Sequence, residues 1–159
     1  VTKKVLDVHL MISPVANYID NFIQAGADII SFHPEADPSS SEIIKQIKTN
    51  NCKAGIAIHP NVKISNILHF LEDIDLVVVM TVVPGFGGQQ FMLSEVNKII
   101  ELKKIKEEKN LNYEIEIDGG INNETAIICK KSGADVLVAG SYIFSNNKNN
   151  YKTKIDSLR

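Results

Sequence analysis

The segment Thr81-Val82-Val83-Pro84-Gly85-Phe86-Gly87-Gly88-Gln89-Gln90 places three glycines in four positions directly after the apolar run Leu76–Met80. Glycines spaced this way let successive backbone N–H groups turn toward one point without Cβ obstruction, which is what an anion cradle needs. An ordinary surface loop is the competing reading of the same composition. The charge inventory bears on the choice, because 16 of the 17 basic residues are lysine and the only arginine is Arg159. No guanidinium fork can therefore clamp a phosphate from within the body of the fold, and an anion site must use backbone amides or lysine. Gly140-Ser141, at the end of the run Val136–Ala139, adds donors of the same kind, with a plain strand-end turn as its alternative.

Asp118-Gly119-Gly120 ends another apolar-rich run, Tyr113–Ile117, and leaves a carboxylate at its tip. Asp-Gly also begins hairpins, but Asn122 to Cys129 reads as a helix, which weakens that alternative. In Asp7-Val8-His9-Leu10-Met11, period two puts His9 on the same face as Val5 and Asp7. A lone histidine is more often packed or solvated than a ligand. His9 and Asp118 facing one mouth would suit a divalent metal, although two ligands are fewer than such a site needs. His33 and His59 also follow apolar runs and are expected near the site, whereas His69 is expected on a helix surface.

These segments sit in a repeating order. Candidate strands are Val5–His9, Asp28–Phe32, Lys53–Ile58, Asp75–Met80, Tyr113–Ile117 and Asp135–Ala139. Between them the apolar period turns helical: Val15, Ile19, Phe22 and Ile23; Ile43, Ile44 and Ile47; Ile64, Ile67, Leu68 and Leu71; Val96, Ile99, Ile100, Leu102 and Ile105. Pro14 suits a first helical turn, Ser39 with Glu42 spells a capping box, and Asn122 can cap the helix after it. Gly26-Ala27-Asp28 and Gly133-Ala134-Asp135 echo one another, each a helix-ending glycine followed by an acid and a strand. The rhythm breaks only between the fourth and fifth strands, where Thr81 to Leu93 lengthens the connection at the end of the strand where parallel sheets bind ligands.

Six βα units in succession imply a parallel sheet covered by helices. A doubly wound open sheet would carry a glycine-rich turn after its first strand, and Val8-His9-Leu10-Met11 is not one. A closed barrel fits the rhythm, but 159 residues fall short of the roughly 250 typical of eight units. The expectation is a single (β/α)8 TIM-barrel domain over residues 1–159 with about six of its eight βα units present. That the chain begins with Val1 rather than Met is a weak hint in the same direction.

With 44% hydrophobic residues and 23% charged, the composition is that of a globular domain rather than a disordered chain or a membrane bundle. A net charge of −2 gives no footprint for nucleic acid or an anionic membrane. No apolar run is long enough to span a bilayer. Cys52 and Cys129 lie far apart without metal spacing and are expected as two buried thiols in a reducing compartment, the cytoplasm. The stretch Ser145 to Lys154 reads as a solvated loop leading into a last helix with Tyr151, Ile155 and Leu158 on one side.

Taken together, Asp7-Val8-His9-Leu10-Met11, Phe32-His33-Pro34-Glu35-Ala36, Met80-Thr81-Val82 leading into Pro84-Gly85-Phe86-Gly87-Gly88-Gln89, Asp118-Gly119-Gly120 and Val138-Ala139-Gly140-Ser141 resemble ribulose-phosphate 3-epimerases in order and spacing. The resemblance implies a barrel of the ribulose-phosphate-binding type that interconverts D-ribulose 5-phosphate and D-xylulose 5-phosphate in the pentose phosphate pathway. It implies two aspartates flanking the substrate and one divalent metal, zinc first, with iron, manganese or cobalt as alternatives. Asp118 matches one catalytic aspartate and a metal ligand, and His9 a second ligand that also touches substrate. Gly85, Phe86, Gly87, Gly88, Gly119, Gly120, Gly140 and Ser141 match substrate and phosphate contacts, and Met11 and Met80 match methionines lining the pocket.

On this alignment the chain begins at the third strand. The family's other aspartate, its other metal-binding histidine and a substrate-contacting serine then have no counterpart here. His59 stands where asparagine is common, and Val83 where a polar residue is usual. The resemblance further implies a small-molecule sugar-phosphate partner, no nucleic acid or membrane, and a homo-oligomer when full length. The 159 residues alone are expected to be inactive, with unpaired sheet edges. An epimerase for a related ketose phosphate such as allulose 6-phosphate, or a non-catalytic sugar-phosphate-binding barrel, is the alternative.

Overall fold

The β-branched runs form six strands in the computed structural model, which describes residues 2–145 and 150–159. They are β1 (Asp7–Leu10), β2 (Ile29–Phe32), β3 (Lys53–Ile58), β4 (Leu76–Met80), β5 (Glu114–Asp118) and β6 (Val136–Val138). Every neighbouring pair is parallel and the spatial order equals the chain order, β1 to β6. The sheet is a curled part-barrel, in which β1 and β6 are each paired on one side only among the described residues.

Side chains alternate between two faces, as strand geometry requires. Residues such as Ile30, Phe32, Ile56, Ile58, Val77, Val79, Ile115 and Ile117 point outward and join the helices in one large core. A second, smaller cluster of Ile29, Ala57, Leu76, Val78 and Met80 fills the concave side. By the same alternation Asp7, His9, Ser31, Glu116 and Asp118 belong to that concave side.

The helices are α1 (Ile19–Gln24), α2 (Ser40–Thr49), α3 (Val96–Glu108), α4 (Asn123–Ser132), α5 (Ser141–Phe144) and α6 (Tyr151–Ser157). Three expectations need correction. The first connection opens with a 3-10 turn, Ala16–Tyr18, before α1, so Pro14 lies ahead of the helix rather than in its first turn. The connection after β3 holds two 3-10 turns, Ile64–Asn66 and Leu68–Phe70, instead of an α-helix. The buried residues there, Ile64, Ile67, Phe70 and Leu71, suit a three-residue and a 3.6-residue period alike, and the backbone takes the tighter turn.

Ser39 makes no side-chain cap to α2. Asp37 instead takes the Ser39 N–H, the group a capping box would give to Glu42: one carboxylate oxygen accepts from it at 3.0 Å, and the other from the Val15 and Ala16 N–H groups at 3.1 and 3.3 Å. At α4 the expected cap by Asn122 is present and is completed by Thr125, whose hydroxyl accepts from the Asn122 N–H at 2.8 Å. Part of the loop expected over Ser145 to Lys154 falls on residues 146–149, outside the described residues.

The echoed Gly-Ala-Asp motif has a structural meaning. Asp28 accepts from the Leu6 N–H at 2.7 Å, and Asp135 from the Ile115 N–H at 2.9 Å. Asp75, at the equivalent place before β4, accepts from the Ala54 N–H at 3.0 Å. In each case an acid just ahead of an even-numbered strand ties down the backbone entering the preceding strand. A staple of this kind fixes register, and a one-residue slip would turn every inward side chain outward. Replacing Asp135 by alanine orphans the Ile115 N–H and should cost about 1 to 3 kcal/mol in urea unfolding, with Asp135→Asn costing less because an acceptor remains.

Candidate active site

Parallel strands bring all their C-terminal ends to one rim. The β4–β5 register sets Met80 beside Asp118 there, and the β1–β2 register sets His9 beside Ser31. A cleft of about 240 Å³ at this rim is lined by Met11, Met80, Gly85, Phe86, Gly87, Gly88, Asp118, Gly119, Gly120, Gly140 and Ser141. Segments far apart in the chain, the glycine loop, the Asp118 turn and the Gly140 turn, thus share one wall. His9 does not line that cleft, but its Nδ1 lies 3.8 Å from Asp118 Oδ2, so it borders the same carboxylate.

The backbone around Asp118 is held from two sides. The Thr81 hydroxyl donates to the Gly119 carbonyl at 2.6 Å, and the Thr81 N–H donates to the Asp118 carbonyl at 2.9 Å. The Thr125 hydroxyl donates to the Gly120 carbonyl at 3.1 Å. Gly119 and Gly120 adopt φ of +127° and +63°, and a Cβ on either would come within 3.0 Å of backbone, at Val82 and Phe91 respectively. This turn therefore accepts only glycine pairs. On the longer loop, Gln89 Nε2 donates to the Val83 and Phe86 carbonyls at 2.6 and 2.8 Å, folding the glycine segment on itself. Phe86 at its tip stays 87% exposed.

Thr81, Gln89 and Thr125 were not among the residues singled out by type. Thr81 had a signal, a polar residue ending the otherwise apolar Leu76–Met80 run. Gln89 and Thr125 had none, since their role is to satisfy carbonyls that only the folded turns expose.

The histidines divide. His33 Nε2 lies 3.2 Å from His9 Nε2, and the His33 ring sits low in the rim, where burial, with His9 and His59 nearby, lowers its pKa to about 4. His59 joins His33 and Glu35 around a neighbouring cavity of about 680 Å³ that meets the first at Met11, Pro84 and Gly85. The Asn61 N–H donates to His59 Nδ1 at 3.2 Å. His69 is exposed, as expected, though on a 3-10 turn. Cys52 and Cys129 are both buried and unpaired thiols.

Below Asp118, Glu116 is almost fully buried on the concave side. Burial pushes its carboxyl up to about 8, and the adjacent Asp7 carboxylate, which shares a hydrogen bond with it, adds to the rise. Burial raises the Asp7 carboxyl as well, so the two adjacent acids resist ionising together.

Among the described residues no three His, Cys, Asp or Glu side chains form a metal-holding group. His9 and Asp118 still face one another at a distance too long for a hydrogen bond and offer one imidazole and one carboxylate, a donor set that suits a divalent transition ion. The two donors fit such an ion as part of a larger set.

Parallel β-strands alternating with helices, and an acid, imidazoles and glycine amides gathered at the C-terminal rim, define a protein of the (β/α)8 barrel class. Solved structures agree on the fold: 3-hexulose-6-phosphate synthase from Salmonella typhimurium superposes with a TM-score of 0.75 at 16% identity, covering 98% of this chain and 71% of that one. The tryptophan synthase α-subunit from Pyrococcus furiosus gives 0.74 at 15% identity, covering 99% and 67%.

Sequence comparison is more specific. The family model described as "Ribulose-phosphate 3 epimerase family" matches residues 1–144. Proteins named ribulose-phosphate 3-epimerase are 46% identical in Bacillus subtilis (strain 168), covering 92% of this chain and 68% of that one, and 38% identical in Escherichia coli (strain K12), covering 97% and 68%. A chloroplastic ribulose-5-phosphate-3-epimerase of Arabidopsis thaliana is 44% identical, covering 91% of this chain and 52% of its own length. The chain belongs to the ribulose-phosphate 3-epimerase family.

The Glu116 site carries a pH signature. A carboxyl that binds its proton more tightly folded than unfolded gives stability that is present at low pH and is lost as pH rises toward the folded pKa. Stability should therefore decline between the ordinary glutamate range and about pH 8. Glu116→Gln should flatten that decline in thermal melts from pH 5 to 9 and leave the variant more stable than the parent above pH 8.

Proposed function

We propose that this chain is the larger part of a ribulose-phosphate 3-epimerase that interconverts D-ribulose 5-phosphate and D-xylulose 5-phosphate, a step of the pentose phosphate pathway. The observation that carries this reading is the meeting of Asp118, His9 and three glycine turns at one rim, in a chain of this family. Inverting C3 of a 2-ketose needs a proton taken from the carbon next to the carbonyl and another returned on the opposite face.

Asp118 is the acid and base for one face, since its carboxylate projects from the tip of β5 into the cleft. A second acid must serve the other face, and the family's counterpart has no match in these 159 residues. His9 and Asp118 would hold one divalent ion, zinc in the first instance and iron, manganese or cobalt otherwise. When bound, such an ion supplies Lewis-acid polarisation of the carbonyl and so acidifies the C3 proton. Met80, nearly fully buried, and Met11, half exposed, give the reacting carbons an apolar wall that limits water. Backbone N–H groups of Gly85 to Gly88, Gly119, Gly120, Gly140 and Ser141 receive the phosphate, in keeping with the lack of an internal arginine.

Gly140 supports this assignment. Its φ is −90°, and an added Cβ would meet nothing within 4 Å. The fold itself makes little demand for glycine there, so the absent side chain leaves room for a group arriving from outside. Gly140→Ala should leave stability within about 0.5 kcal/mol of the parent while weakening sugar-phosphate binding, read by calorimetry.

The two missing βα units and the second acid belong together in this reading, and the 159 residues alone should not turn over. The names of the relatives favour the five-carbon ketose over allulose 6-phosphate and over a non-catalytic barrel. No helix among the described residues is long and apolar enough to cross a membrane, and two unpaired buried thiols suit a reducing compartment, so the cytoplasm is the proposed location. A homo-oligomer is the proposed state of the full barrel.

Hydrogen exchange at C3 of D-ribulose 5-phosphate, followed by proton NMR in D2O with zinc, tests the whole. The closed barrel should incorporate deuterium and yield xylulose 5-phosphate, and Asp118→Asn should slow this at least about 100-fold. Exchange that survives Asp118→Asn, or no exchange by the closed barrel, would overturn the assignment.

A further inference from the structure

Two consecutive glycines directly after Asp118 give the carboxylate the most flexible neighbours a chain can offer. An acid on such a turn stands in one place only if something outside the turn holds it. Thr81 is placed to do so, and none of its surface is open to solvent. All three of its hydrogen-bonding groups are committed at the base of the site. Its N–H donates to the Asp118 carbonyl at 2.9 Å, its carbonyl accepts from the Met92 N–H at 2.8 Å, and its hydroxyl donates to the Gly119 carbonyl at 2.6 Å.

The first two bonds are backbone bonds that other residues could make, whereas the third needs a hydroxyl. Paired β4 and β5 end level at Met80 and Asp118, and the Thr81 N–H carries the ladder one step past them. At Gly119 the chain turns off with φ of +127°, and among the described residues no backbone N–H donates to the Gly119 carbonyl. The side-chain hydroxyl takes that place. A Cβ at Gly119 would sit 2.9 Å from the Val82 nitrogen, so the turn lies pressed against the residue that follows Thr81.

We infer that Thr81 is a positioning residue for Asp118: its buried hydroxyl pins the Gly119 carbonyl, and the pinned turn sets where the carboxylate stands at the rim. The inference rests on the reading of Asp118 as the acid and base for one face of the substrate. It assigns the hydroxyl to the chemical step rather than to phosphate capture. Replacing the side chain leaves the Met92–Thr81 backbone bond that closes the long glycine loop, and the Thr125 hydroxyl still holds the Gly120 carbonyl. What loosens is the Asp118 end of the turn. Proton transfer tolerates little misplacement, since a shift of about 1 Å can cost about 100-fold in rate.

Thr81→Val keeps the shape of the side chain and removes the donor. In the closed barrel with zinc, kcat for D-ribulose 5-phosphate should fall about 10- to 100-fold while KM changes by less than about threefold. Thr81→Ser keeps the hydroxyl and should restore kcat, and Thr81→Cys, with its weaker S–H donor, should fall between. A threonine that served only the fold would lower the melting temperature and leave kcat of the folded enzyme where it was. A valine variant with the parent kcat would overturn the proposal, as would a rise in KM with kcat unchanged, or a serine variant no better than valine. If Thr81→Val does not fold, the cysteine variant decides: a reduced kcat supports the role and the parent kcat refutes it. A parent barrel with no epimerisation would sink the reading of Asp118 but not the anchor, which is then read from the carbonyl-carbon NMR shift of Gly119. That shift should move upfield in Thr81→Val and stay in place in Thr81→Ser, and no movement in the valine variant would overturn the anchor itself.

Discussion

Parallel register is the constraint on which everything at the rim depends. Asp118 is useful only because β5 lies level with β4, so that its carboxylate emerges beside Met80 and above the glycine loop that follows β4. Parallel strands have slanted hydrogen bonds and little intrinsic preference for one register, so something must choose it. Here the choice is made twice. The apolar outward faces of all six strands must meet the helices, and the acids at 28, 75 and 135 tie the backbone entering β1, β3 and β5. The same residues that end each helix-to-strand connection thus set the level at which chemistry-bearing side chains appear at the other end.

The rim is built chiefly from backbone, and its support is correspondingly local. Gly119 and Gly120 pass so close to Val82 and Phe91 that no side chain fits, and threonine hydroxyls from two different elements take up their carbonyls. Gln89 does the same for the glycine loop. Carbonyls satisfied from behind leave the N–H groups of these turns for an outside partner, which is what the proposed phosphate site would use in a protein with lysines and one terminal arginine. Beneath the rim, burial raises the carboxyls of both Glu116 and Asp7, which disfavours negative charge accumulating next to Asp118.

The sequence legibly carried the strands, because alternation of β-branched residues is a local property; all six were readable to within two residues. Asn122 as a cap and Gly133 as a helix end were legible for the same reason. The connection after β3 reads as helical because Ile64, Ile67 and Leu71 recur at helical spacing, whereas the folded chain buries Phe70 with them on two 3-10 turns. Ser39 reads as a cap because Glu42 follows it at capping-box spacing, but Asp37 takes the Ser39 N–H and ties it to the Val15 and Ala16 amides, a contact across 22 positions of chain that no local motif announces.

Residue types and order alone determined the class of architecture and the family likeness, since each depends on patterns within a few positions or on the succession of motifs. Tertiary structure alone decided that Met11, the glycine loop, Asp118 and Gly140-Ser141 share one cleft, and that His33 rather than His59 backs His9. The reason is physical. Strand period says which face a side chain takes, but how far the sheet curls, and therefore which strand ends converge, comes from the twist accumulated over six strands and the packing of helices outside them.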